Sequence, residues 1–433
     1  MTVVDEYPAS QTSIDEESVS LSLAPPVPRR RDRDLELGLC LSGGGFRAML
    51  FHAGALTRLN ELGYLAKIDA ISSVSGGSIA SGLLGAVWDQ LEFDAGSGVA
   101  AKFEERFLRP LLTFAQTTVD FPSIAWGIAA PWTTASQEVT KRYRDLLGTD
   151  ANLNRLPIRP RFIFCSSNLT TGSLFRFSRG YIADYRLGLH RDPDLDLATA
   201  VAASAAFPPV LSPLRLDLSR FNFVNEAIDG VVPRPPEPAL MRRAVLSDGG
   251  VYDNHGLQPL LERCRTLLVS DGGAPWSTSL GGYYRWLPQL KRVLDTTDNQ
   301  VRALRRRDLI SRFEAAGDPS LQLLPESSEV RRHFAVRGAY WSVATNPANY
   351  PAEHGDLAQA RWRRLASIGT WLHFLGGSET EDLVNWGYLV SDLALRSYLD
   401  TETPPVKSLP VQTGSVKAGW AARAAKWMGD RLS

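Results

Sequence analysis

Leu35-Glu36-Leu37-Gly38-Leu39-Cys40-Leu41-Ser42-Gly43-Gly44-Gly45-Phe46-Arg47-Ala48-Met49 is the stretch that decides the fold. An apolar, strand-like run ends in three glycines. Arg47 to Leu62 then reads as a helix, with Leu50, Phe51, Gly54, Leu56 and Leu59 near helical spacing. The pattern repeats at once. Ile68 to Val74 predicts a second strand, Ser75-Gly76-Gly77 a turn, and Gly76 to Leu91 a second helix with small residues in its first turn. Strand, glycine turn, helix, strand, serine turn, helix is a parallel α/β pattern.

Working outward, residues 92–155 read as mostly helical, over Phe103 to Phe114 and Ser136 to Leu147, an insertion between core strands. Arg161 to Ser167 returns to strand. Thr199 to Ala206 is a small-residue helix stopped by Pro208-Pro209. Arg243 to Ser247 and Thr266 to Ser270 predict two more strands, each followed by Asp-Gly-Gly. Residues 280–315 and 355–400 are helical in character. Upstream, residues 1–34 are polar, then Pro-rich, then basic. They bury little apolar surface and are expected to be a disordered tail. Downstream, 401–415 is expected to be a linker and 416–433 an amphipathic helix. In that helix Trp420, Ala424, Trp427 and Met428 share one face among basic residues. The domain reading is thus a 1–34 tail, one catalytic body over 35–400, a 401–415 linker and a 416–433 helix.

Composition sets the outer bounds. Lys+Arg and Asp+Glu number 47 each among 433 residues, so no global charge points to nucleic acid. No run of about 18 apolar residues occurs, and no charged-then-apolar leader is seen at the start. Cys40, Cys165 and Cys264 are widely spaced in strand-like contexts. They read as reduced core residues of a cytoplasmic protein, not as a disulfide or zinc framework.

The chemistry sits at three turns. A serine on a sharp strand-to-helix turn projects its Oγ above the sheet, and such a turn needs very small neighbours. Ser73-Val74-Ser75-Gly76-Gly77 matches G-x-S-x-G with its first glycine replaced by serine. The competing reading of Ser75 is a helix N-cap. Gly43-Gly44-Gly45 frees backbone N–H groups between strand and helix, where they can bind an anion such as a tetrahedral oxyanion. Phosphate-loop spacing fails, because Phe46-Arg47 follows the glycines instead of Lys-Ser/Thr. A dinucleotide fingerprint fits Gly43-x-Gly45-x-x-Ala48 but leaves Ser75 and Asp248 without a role. Asp248, before Gly249-Gly250, could take the Ser75 proton. Asp271, before Gly272-Gly273, is a second candidate, and His255 allows a Ser-His-Asp triad.

Together the three turns resemble the patatin-like phospholipases and the related catalytic domain of cytosolic phospholipase A2. Ser42-Gly43-Gly44-Gly45-Phe46-Arg47-Ala48-Met49 is similar to the cytosolic phospholipase A2 loop. Ser247-Asp248-Gly249-Gly250-Val251-Tyr252-Asp253-Asn254 resembles the patatin Asp-Gly-Gly segment and favours Asp248 over Asp271. Cys165 to Gly172 and Ala202 to Pro209 look like family segments too. The resemblance covers roughly residues 35–275. It implies a three-layer α/β fold with a mostly parallel central sheet flanked by helices. It further implies a lipid acyl hydrolase with a Ser75–Asp248 dyad, an oxyanion hole at Gly43, Gly44 and Gly45, and Arg47 on the substrate phosphate. Neither metal nor organic cofactor is expected. The partner is a lipid or phospholipid substrate, with peripheral membrane contact as a further expectation. Two alternatives stand beside it: a Ser75–Asp–His255 esterase, and a non-catalytic membrane-binding protein on the same fold.

Overall fold

The computed structural model describes residues 33–116, 132–208, 211–224, 238, 240–276, 278, 281, 284–325, 328–353, 362–369 and 375–412. The expected 416–433 helix and nearly all of the 1–34 tail lie outside the described residues. No helix among the described residues is long and apolar enough to cross a membrane.

Five strands form the parallel centre of one sheet: β1 (Leu35–Leu41), β2 (Ala70–Val74), β3 (Arg161–Asn168), β9 (Cys264–Asp271) and β10 (Arg337–Ser342), in the order β10-β9-β1-β2-β3. β1 and β2 are buried almost throughout, as strands covered on both faces must be. An antiparallel wing continues past β3 through β4 (Ser173–Ser178), β5 (Tyr181–Asp184) and β6 (Gly188–Arg191). β7 (Leu214–Asp217) pairs with β8 (Arg243–Asp248), and β8 pairs with β3. Four strands of the parallel centre, β1, β2, β3 and β9, follow the sequence pattern, whereas β10 and the wing carry no such pattern.

Helix α1 (Gly45–Glu61) is buried over all but its last residue, because the sheet lies on one side of it and the late helix α6 (Gly377–Tyr398) on the other. Gly54 faces the Val384 carbonyl and Gly387 the Phe51 carbonyl. A Cβ at either position would drive backbone into backbone. Helix α2 (Gly76–Val87) follows β2, and α4 (Leu197–Ser204) packs beside β3. Within 92–155 the described residues form a π turn (Glu104–Leu108), a short helix (Arg109–Phe114) and α3 (Trp132–Leu147). Phe107, Leu111 and Tyr143 from this stretch enter the main core. The helical character of 280–315 becomes one long helix, α5 (Trp286–Gly317). Within 355–400 the described helices are Trp362–Ser367 and α6. Residues 401–412 lie along the body. Asn385 and Val411 exchange two hydrogen bonds, and Arg58 donates to the Pro404 carbonyl.

Candidate active site

Register brings the three turns together. Leu41 pairs with Ser73 and with Ser270, so the glycine triplet, Ser75 and Asp271 leave the same edge of the parallel strands. Val74 pairs with Cys165, and Ser166 with Asp248. One strand, β3, thereby carries Asp248 to the end of β2, where Ser75 stands. The carboxyl edge of parallel strands is where open α/β sheets place their sites.

Ser75 has φ 52° and ψ −120°, a conformation that L-residues with side chains rarely adopt. The turn survives because its neighbours have no side chains. Gly76 lies against the backbone of Gly45, and Gly77 against the carbonyls of Leu41 and Ser42. A buried serine cluster fixes the turn from behind. The Ser75 amide donates to Ser204 Oγ at 3.1 Å, and Ser204 Oγ donates to the Cys165 carbonyl at 2.6 Å. Ser78 Oγ lies 2.8 Å from Ser204 Oγ, and Ser78 and Ser81 both donate to Ser73.

Asp248 is held from the same helix end. Its amide donates to the Ala206 carbonyl at 2.8 Å, and the Gly249 amide donates to the Ser204 carbonyl at 3.1 Å. Oδ1 accepts from the Gly250 amide at 2.7 Å. Oδ2 is buried without a hydrogen bond of ordinary geometry, yet the Ser75 hydroxyl is close enough to favour the charged carboxylate. Burial outweighs that pull and pushes the Asp248 carboxyl up to about 6, with Asp298 of α5 adding to the rise.

The glycine loop is equally constrained. Gly44 and Gly45 have φ 141° and 58°, which glycine adopts without strain. Ser42 anchors the loop: its amide donates to Ser270 O, and its Oγ accepts from the Gly272 amide. His52 locks the same point, with Nε2 on the Ser42 carbonyl at 2.9 Å and Nδ1 on Ser270 Oγ at 2.8 Å. A carbonyl only accepts, so Nε2 carries the hydrogen. Burial lowers His52 to about 4, and the ring is neutral at pH 7.

Two site residues differ from expectation. The Gly43 amide is taken by the Asn254 carbonyl at 3.0 Å, so it is no free oxyanion donor. What Gly43 supplies is clearance, since a Cβ there would sit 2.5 Å from Asn254 Oδ1 and 3.2 Å from Ser75 Cβ. The amides of Gly44 and Gly45 open α1, where N–H groups lack partners within the helix. Arg47 is 1% exposed. Its Nε and Nη2 donate to the Gly272 carbonyl, and its Nη1 to the carbonyls of Ala366 and Ile368. The guanidinium bonds backbone instead of facing the space before Ser75.

The rival base is committed elsewhere. Asp271 accepts from Tyr340 Oη at 2.8 Å and from the Gly273 amide at 2.8 Å, with His255 Nε2 at 3.2 Å and Arg302 at 3.7 Å. Burial alone would raise its pKa, but His255, Arg302 and Tyr340 outweigh burial and hold it well below the usual carboxylate range. The other ring nitrogen of His255 is buried with no hydrogen-bond partner, so the ring makes no bond to Ser75. Sequence reasoning missed Ser204, His52 and Asn254 as parts of the site. Ser204 and Asn254 lie inside the stretches that carried the resemblance, and nothing local marked His52 apart from other helix histidines. An open polar cavity of about 450 Å³, lined by Arg144, Asn152, Asp194 and Asp196 among others, shares no residue with this site.

A family model described as patatin-like phospholipase matches residues 39–261. Among solved structures, human GIVD cytosolic phospholipase A2 is similar at 14% identity, with 84% of this chain and 59% of that chain covered and a TM-score of 0.43. The same human protein in complex with methyl gamma-linolenyl fluorophosphonate gives 15%, the same coverages and 0.45. VipD from Legionella pneumophila gives 14% identity, 82% and 67% coverage, and 0.27. The chain thus spans 59% of the human protein's structure. A comparison with curated protein sequences finds no match. The match over residues 39–261 spans more than half of the 433 residues and takes in the glycine triplet, Ser75 and Asp248; the chain belongs to the patatin-like phospholipases.

Proposed function

We propose that this protein is a serine acyl hydrolase that cleaves fatty-acyl esters of lipids or phospholipids through a Ser75–Asp248 dyad. The observation that carries the reading is the strained Ser75 turn set against the buried Asp248 carboxylate. An alcohol is a weak nucleophile until a base takes its proton. Asp248, ionised above about pH 6, accepts the Ser75 proton as Oγ attacks the ester carbonyl. The amides of Gly44 and Gly45 and the start of α2 stabilise the oxyanion, and the alcohol or lysolipid leaves with the proton. Water then gives a proton to Asp248 as it attacks the acyl-Ser75 ester, and the fatty acid departs as Asp248 returns that proton to Ser75 Oγ. His52, neutral and bonded to Ser42, holds the loop and takes no proton. The bonding of Arg47 supports a role in holding Gly272 and 366–368 against the loop, rather than one on the phosphate. The commitments of Asp271 and His255 weigh against the triad alternative.

The test is labelling with a fluorophosphonate, followed by mapping of the modified residue by mass spectrometry. Covalent label on Ser75, absent in Ser75→Ala, is the expected result. A folded protein that takes no label on Ser75 overturns the hydrolase reading.

A further inference from the structure

Helix α5 has an outer face that the catalytic scheme does not use. Of its residues only Leu309 is buried. Its inner side is charged and runs along the turn that carries Asp248. Arg305 donates to the Tyr252 carbonyl and Arg302 to the Ala274 carbonyl, and Asp298 is near enough to act on Asp248. Its outer side is apolar. Trp286, Leu290, Val293, Val301 and Leu304 recur at helical spacing, with exposures of 73%, 43%, 56%, 38% and 57%. An apolar stripe at the helical period normally faces a core, and one facing water marks a binding surface.

Two further observations say what covers it. The stripe begins at aromatic residues, with Tyr284 98% exposed just before Trp286. Arg302 and Arg305 face Asp271 and Asp253. Setting aside those two and Arg306, which bonds Tyr340, residues 285–308 carry four Lys or Arg (Arg285, Lys291, Arg292 and Arg307) against three Asp. A basic helix with an aromatic-ended apolar stripe fits the boundary of an anionic bilayer. Val251 and Phe207 are also exposed, at 54% and 50%, on the two turns that hold Asp248. Val251 adjoins Tyr252, whose carbonyl Arg305 of the helix holds, so exposed apolar residues stand at the site as well as on the helix.

We infer that the outer face of α5 is the surface by which this protein docks on anionic lipid, resting on the lipid-hydrolase reading above. The stripe seats in the headgroup region, the basic residues meet the lipid phosphates, and the inner face of the helix holds the catalytic turn beside the membrane.

The experiment uses the full chain in two backgrounds. Ser75→Ala protein is sedimented with phosphatidylcholine vesicles with and without phosphatidylglycerol, so that the lipid stays intact. The triple variant Trp286→Ser/Leu290→Ser/Val293→Ser is compared in the same assay. With Ser75 present, hydrolysis of a short-chain soluble ester is measured alongside. Salt-sensitive binding to phosphatidylglycerol vesicles, weakened at least about tenfold by the triple variant with soluble-ester hydrolysis kept, supports the surface. Unchanged binding, or no vesicle binding by the parent protein, overturns it. A dimer that the triple variant splits while vesicle binding stays intact also overturns it, in favour of a second copy as the occupant. Should the triple variant fail to fold, Leu290→Cys carrying an environment-sensitive nitrobenzoxadiazole dye decides. Its emission shifts to the blue on adding phosphatidylglycerol vesicles if the stripe inserts, and stays unchanged if it does not. A parent protein that cleaves no soluble ester but binds vesicles through the stripe would refute the hydrolase reading alone.

Discussion

At the scale of single residues the site is built from side chains that do not react. Ser204 fixes the amide of Ser75 and, through its own carbonyl, the amide after Asp248. Arg47 is the sharpest case. Arginine suits phosphate because its fork is planar and permanently charged, and the same fork suits a pair of carbonyls. Four of its donor contacts end on backbone oxygens of three separate residues. Burial lowers its pKa to about 10, which leaves it charged at pH 7. Removing it would leave the carbonyls of Gly272 and Ile368 without these donors and loosen the wall of the glycine loop. Arg47→Ala is therefore expected to lower hydrolysis of a phospholipid and of a neutral p-nitrophenyl ester by the same factor, within about threefold. Parallel assays of kcat/KM check this. A loss confined to the phospholipid would return Arg47 to the phosphate.

At the scale of elements, the parts legible in the sequence are those whose local chemistry and tertiary place agree. The β1 run, Gly43-Gly44-Gly45, Ser75 and the Asp248 turn each announce themselves, because a strained turn leaves little choice of residue. The antiparallel wing does not. Its strands have four to six residues, and Arg176 and His190 sit within them, so no apolar alternation stands out. Its identity comes from pairing with β3, which is a long-range fact. Roles that depend on a partner far along the chain were hidden for the same reason, as with Arg47 reaching Ile368 and the Gly43 amide reaching Asn254. The α1–α6 contact shows how such a partner acts. Gly54 and Gly387 let two helices approach with backbone touching backbone. Gly387→Ala would gain helix propensity, yet its methyl would enter the Phe51 carbonyl of the helix that starts at the glycine triplet. The expected net result is a loss of about 1–3 kcal/mol in unfolding free energy, read by denaturant titration. A stabilised Gly387→Ala protein would mean the helices separate freely at this contact.

At the scale of the whole molecule, the carboxylate proposed as the base works against the fold that holds it. Asp248 is raised by burial from 3.8 to about 6. Below about pH 4 the acid is neutral in both folded and unfolded chains, and the fold bears only a neutral group. Between about 4 and 6 the unfolded chain gives up the proton while the folded chain keeps it, so stability falls as pH rises through this window. Above 6 both forms are ionised, and the loss is complete at about 3 kcal/mol, two pKa units and a fraction at roughly 1.4 kcal/mol each. Asp271 has the opposite sign. It is held well below its ordinary value, and its contribution, fully present at neutral pH, disappears only as pH falls through its folded-state value. Asp248→Asn removes the buried charge while keeping the shape and an acceptor for the Gly250 amide. The variant is expected to lose ester hydrolysis by orders of magnitude, yet to gain on the parent in unfolding free energy as pH is raised from about 4 to about 7. Denaturant midpoints of the two proteins across that range decide it. A stability difference that stays flat with pH would mean Asp248 is not held protonated by burial, and would remove the reason to expect activity to fall in acid with a midpoint near 6.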